Sequence, residues 1–150
     1  MYGLAKRTAD ADCYFTSFGD TLRALFTSGT AIVGICSAGI LIRTLSPLLS
    51  DKWHEPPVLA VAEDGSVVVP LLGGLHGVND LARHLADVLQ VAPAITTTGD
   101  IRFRTALLAP PAGYHLAHPD QAKTFIANLL AGAASDSKAT HPGCKRVNSP

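Results

Sequence analysis

The chain has 150 residues, twelve of them basic and twelve acidic, and is 47% hydrophobic. That is the length of one ordinary domain, enough to bury a sizeable core. No apolar run reaches the ~18 residues that span a bilayer, and zero net charge without a basic stripe excludes the electrostatic footprint of a nucleic-acid binder.

The start, MYGLAKRTADADC, carries Lys6 and Arg7 with no apolar region behind them, so no signal peptide is expected. The pattern DTLRALFTSG predicts a helix from about Asp20 to Thr27, stopped at Gly29. AIVGIC, Ala31 to Cys36, is a continuous apolar run and predicts a strand buried on both faces. A small-residue turn, Ser37-Ala38-Gly39, leads into the helical pattern ILIRTLSPLL. Ser46-Pro47 interrupts that pattern and starts a second short helix. Val58 to Ala62 and Ser66 to Leu71 are apolar runs around Glu63-Asp64-Gly65, a strong hairpin signal.

Next comes the glycine loop GGLHG. Asn79 then suits the N-cap of DLARHLADVL, whose Leu81, Leu85, Val88 and Leu89 share a face. APAITTT, with Ala94 to Thr97 at its centre, predicts another doubly buried strand before Gly99-Asp100. PDQAKTFIANLLAG predicts a last helix that begins at Pro119, carries Ala122, Phe125, Ile126, Leu129 and Leu130 on one face, and stops at Gly132.

Alternating strands and amphipathic helices imply a mainly parallel, Rossmann-like α/β sandwich of three layers with one antiparallel hairpin. The domain is expected to cover residues 1–132, and residues 133–150, without periodicity, to form a disordered tail or linker. Cys13, Cys36 and Cys144 are odd in number and widely spaced, so no metal or redox motif is present and a reducing cytoplasm is the expected location.

Ligands of open α/β sheets collect beyond the carboxyl ends of strands. Three loops qualify: Ser37 to Gly39, Gly73 to Asn79, and Thr96 to Asp100. They are expected to line one cleft. Glycine permits positive φ and close approach of a ligand to backbone amides, and a helix start adds unpaired N–H groups. An anionic ligand follows, although a tight turn that needs glycine explains the same residues. GGLHG matches neither the dinucleotide nor the phosphate-loop pattern, and no nucleotide or other cofactor is expected.

Each candidate side chain also has two readings. His76 is a general base or a histidine at a helix start. Asp100 is a base or, preferably, an N-cap after glycine. Arg43 is a bidentate carboxylate clamp or the solvated edge of its helix. Asp51-Lys52 lies outside the helical pattern as a surface pair, and His84 falls on an exposed face. His115 and His118 lack a third ligand, so no metal site is expected.

The order and spacing of these motifs over Ile35 to Asp100 carry a resemblance. They are an apolar strand, AGILIR, PLLSDK, a hairpin with a glycine turn, LLGGLHGVNDLA and TTTGD. The segment resembles the amino-terminal domain of the cobalamin-biosynthesis protein CbiG, the cobalt-precorrin-5A hydrolase family. The match extends more loosely from Tyr2 to Gly132. The stretch FRTALLAPPAGYHLAHPDQAKTFIANLLAG resembles a subgroup in which the domain precedes a precorrin-3B methyltransferase.

The resemblance implies opening of a δ-lactone by water with release of acetaldehyde, in the synthesis of the corrin ring. It implies His76 and Asp100 as catalytic groups. Ser37, Gly39, Arg43, Gly73, Gly74, Gly77, Asn79, Thr96 and Thr98 are implied as contacts to a cobalt-precorrin polycarboxylate. Where relatives often have a histidine directly after the glycine pair, this chain has Leu75. Relatives also carry a further strand and helix upstream and a carboxy-terminal domain. The competing class is a non-catalytic module that holds a corrinoid or docks on the methyltransferase.

Overall fold

Val58, Leu59, Ala60 and Val61 are all buried, and their alternation explains why the sheet has helix on both faces. In the computed structural model, which describes residues 1–103 and 117–132, they form β4 (Val58–Val61). This is the middle of a three-stranded sheet. β3 (Ile32–Ile35) runs parallel to it, with Ile32 opposite Val58 and Ile35 opposite Val61. β5 (Val68–Leu72) runs antiparallel, with Val61 opposite Val68 and Val58 opposite Leu72.

Val58 and Ala60 point to one face, where they join Ile32, Leu22 and Phe26 of α1 (Phe18–Thr27), and Leu41 and Leu45 of α2 (Ala38–Leu45). Leu59 and Val61 point to the other, where they meet Val68 and the Val78, Ala82 and Ala86 side chains of α3 (Val78–Leu89). The expected α/β class, with parallel pairing and one antiparallel hairpin, is the observed one.

Local chemistry sets the ends of these elements. Ser17 caps α1 by accepting the Asp20 N–H at 3.4 Å, and Gly29 leaves the helix at φ +75°. Ser46-Pro47 ends α2, and a 3₁₀ turn covers Ser46–Leu48. In the hairpin, Asp64 Oδ1 accepts the Ser66 N–H at 3.0 Å and its hydroxyl at 2.6 Å. β1 (Tyr2–Leu4) and β2 (Cys13–Phe15) pair in parallel as a separate sheet. Three residues each are too few to display a period, so neither strand is legible in the sequence.

Three expectations are corrected. Ala31 to Cys36 is not buried on both faces: Val33 is 46% and Ile35 66% exposed, because α3 packs over β4 and β5 and leaves that face of β3 open. Ala94 to Thr97 is not a strand. A single bridge joins Pro93 to Val68, with the Ala94 N–H on the Val68 carbonyl at 2.8 Å. The next rung of this parallel ladder needs an N–H from residue 70, and Pro70 has none. On α3 the buried row is Val78, Ala82 and Ala86, with Leu81 and Leu85 half-buried beside it. Val88, placed on the buried face by its spacing, is 79% exposed. The alanine row lets α3 lie close on the sheet, and the last turn runs past it.

The described residues fall into two units, divided between residues 115 and 116. α4 (Thr98–Phe103) belongs to the first. α5 (Pro119–Leu130) belongs to the second, and Gly132 follows it at φ +100°. His115 and the tail expected at 133–150 lie outside the described residues. No helix among the described residues is long and apolar enough to cross a membrane.

Candidate functional site

Strand direction decides which loops can cooperate. β3 and β4 are parallel, so their carboxyl ends, Ile35 and Val61, lie at one end of the sheet. β5 runs back, which puts Leu72 opposite Val58 at the other end. Pro93 to Thr97 leaves the Val68 bridge parallel to β5 and heads for that second end. Gly73 to Asn79 and Thr96 to Asp100 are therefore together, and Ser37 to Gly39 is at the opposite end. The expected single cleft is corrected: a hairpin reverses the chain, so the carboxyl end of its second strand leaves the shared side.

At the Ser37 end the side chains are open. Ser37 makes no side-chain cap to α2. The guanidinium of exposed Arg43 lies back along α2 over Gly39, where a Cβ would come within 3.0 Å of Nη1.

At the other end the glycine loop is closely built. Gly73 has φ +79°, and a Cβ there would sit 2.5–2.6 Å from the Pro56 and Pro57 backbone. Two independent constraints therefore demand glycine at that position. Gly74, Leu75 and His76 form a 3₁₀ turn, and Gly77, at φ +83°, opens α3. Gly74 itself faces open space.

His76 is exposed, and its Nε2 lies 2.8 Å from the Trp53 carbonyl. A carbonyl only accepts, so Nε2 carries the hydrogen. In the neutral ring the lone pair is on Nδ1, free to take a proton. The Trp53 turn is itself fixed. Asp51 Oδ1 accepts the Trp53 N–H at 3.0 Å and Oδ2 meets His54 Nδ1 at 2.8 Å. The Trp53 N–H and then the His54 ring hold the Asp51 carboxyl below the usual carboxylate range.

A polar knot lies under the start of α3. Asp100 is 2% exposed, inside α4. Its Oδ2 accepts Asn79 Nδ2, and its Oδ1 is ion-paired with Arg83 Nη2. Arg83 Nη1 also reaches Asp80 Oδ1 at 2.8 Å, and Asn79 Nδ2 extends to Thr97 Oγ1 at 3.5 Å.

The expected N-cap roles of Asn79 and Asp100 are both corrected. Gly77 caps α3, and Asn79 is the second residue of the helix, buried and turned toward Asp100. Both Asp100 oxygens have partners inside the protein. Thr96 and Thr98 are exposed beside this knot. The sequence reading missed Arg83, although it sits four residues after Asn79 and so on the same helical face. Among the described residues no group of three or more His, Cys, Asp or Glu can hold a metal ion.

The family described as cobalamin synthesis G N-terminal matches residues 20–100, more than half of the chain. The chain belongs to this family. The match takes in most of α1, the whole three-stranded sheet, the glycine loop and Asp100. A cobalt-precorrin-5A hydrolase of Salmonella typhimurium is 42% identical over 91 residues, which are 60% of this chain and 26% of that protein. One from Priestia megaterium is 35% identical over 82 residues, 54% of this chain and 22% of that protein. The chain thus spans about a quarter of the length of the curated relatives it matches. A crystal structure of a cobalamin biosynthesis protein G homolog from Sulfolobus solfataricus aligns with 75% of this chain and 36% of its own, at 25% identity and a TM-score of 0.41.

Proposed function

We propose that the chain acts in cobalamin biosynthesis as the amino-terminal part of a cobalt-precorrin-5A hydrolase, and that it handles the corrinoid at the Gly73 end of the sheet. The observation that carries this reading is the 42% identity over 91 residues to the Salmonella hydrolase. The site geometry supports it. Lactone opening adds water across the acyl C–O bond: a base takes the water proton, and the ring oxygen leaves with a proton as a hydroxyl.

His76 Nδ1 is the group in the glycine loop itself with a free lone pair. The amides around Gly73, Gly74 and Gly77, in the same loop, are the donors for the developing oxyanion. Asn79 and Asp100 hold α3 and α4 together beneath, with Thr96 and Thr98 at the rim. Ser37, Gly39 and Arg43 stand at the far end, away from this site, where a further domain could meet them. The cytoplasm is the compartment this biosynthetic role implies.

The test is acetaldehyde release from cobalt-precorrin-5A. The chain would be assayed alone and mixed with a hydrolase relative from which the matching quarter has been deleted. The mixture should release acetaldehyde, and His76→Ala should lower the rate by about 10²-fold or more. A mixture that binds the corrinoid yet releases nothing would support the non-catalytic corrinoid-binding module instead.

A further inference from the structure

The turn at 51–54 is held more firmly than its exposure requires. The Trp53 N–H bonds Asp51 Oδ1, the His54 N–H bonds the Asp51 carbonyl at 3.1 Å, and the His54 ring bonds Asp51 Oδ2. His76 then ties the Trp53 carbonyl to the glycine loop. These bonds fix the backbone on both sides of a tryptophan that is 41% exposed. Lys52 Nζ lies over one face of the indole ring, 5.5 Å from its centroid. Asp51 is a pure acceptor, so His54 Nδ1 carries the hydrogen and the exposed Nε2 is free, as is Nδ1 of His76.

A large ring held in water on a fixed backbone loses little entropy when a ligand covers it. That combination marks a recognition residue rather than a packing one. It stands at the same end of the sheet as the glycine loop.

We propose that Trp53 and Lys52 are the docking platform for a flat, conjugated polycarboxylate, which on the reading above is the corrinoid macrocycle. The macrocycle displaces the Lys52 ammonium from the indole face and lies on the ring, that ammonium meets one of its carboxylates, and the imidazoles of His54 and His76 flank it. The inference rests on that functional reading but names residues it does not need.

Trp53 is the only tryptophan in the chain, so one indole N–H resonance reports on this turn alone. The probe is uroporphyrin, a planar tetrapyrrole octacarboxylate, titrated into the ¹⁵N-labelled chain with affinity read in parallel by calorimetry. The indole signal should shift with the binding isotherm, Trp53→Leu should weaken affinity about tenfold and Lys52→Gln about threefold, with circular dichroism unchanged. Calorimetric binding with an unmoved indole, and both variants within about twofold of the parent, would place the platform elsewhere and leave the hydrolase reading standing. An equal indole shift with ATP would make the ring a nucleobase platform and overturn the inference. Absence of any uroporphyrin binding would overturn it too, while acetaldehyde release would still judge the hydrolase reading separately.

Discussion

Asp100 is the residue whose environment departs most from its sequence neighbourhood. A carboxylate after a glycine looks like a cap, yet here it is buried between Arg83 and Asn79. Removing one member of a buried pair strands the other. Arg83 keeps Asp80, which limits the loss, so Asp100→Ala should lower unfolding free energy by about 2–3 kcal/mol in a denaturant titration. Asp51 gives a pH prediction of opposite exposure. Its carboxyl is held below the ordinary range by the Trp53 N–H and the His54 ring. A depressed folded value means that these contacts stabilise the turn above the value of a free aspartate, and are lost as pH falls through the lower folded one. The Trp53 amide resonance should therefore titrate with a midpoint below that of an unstructured aspartate.

At the scale of elements, Pro70 separates a sheet of three strands from one of four. Val68 already receives the Ala94 N–H, and Pro70 points its missing donor the same way. Pro70→Val restores that donor. The new amide should bond the Ala94 carbonyl and appear protected in hydrogen exchange, extending the single bridge toward Ile95. An unprotected amide at position 70 would mean that something other than the proline keeps 94–97 out of the sheet. β3 shows the complementary case. Its apolar run predicted burial on both faces, and the strand itself is present. Burial, however, depends on what lies above it, and α3 covers only β4 and β5.

For the whole molecule, the reversed direction of β5 divides the candidate residues between two ends. Arg43 lies over Gly39 at one, and the Trp53 turn and glycine loop form the other. Arg43→Ala should consequently change uroporphyrin affinity by less than about twofold, where loss of Trp53 changes it about tenfold. A tenfold loss with Arg43→Ala would bring the carboxylate contact back to α2.

Local pattern was enough for the helices α1, α2, α3 and α5, the hairpin, the three-layer α/β class and the family resemblance over Ile35 to Asp100. Each of these is written in periods of 2 or 3.6 residues, in caps, or in motif spacing, all properties of neighbouring residues. The unequal cover on β3, the arrest of the ladder at Pro70, the inward turn of Asn79 and the pairing of Arg83 with Asp100 were decided only in the tertiary structure. They depend on which elements lie across from one another and in which direction they run, and no window along a single segment contains the partner. The division of the loops stands between the two. The hairpin that reverses β5 was legible at Asp64-Gly65, but its consequence for Gly73 is a matter of strand direction in the assembled sheet.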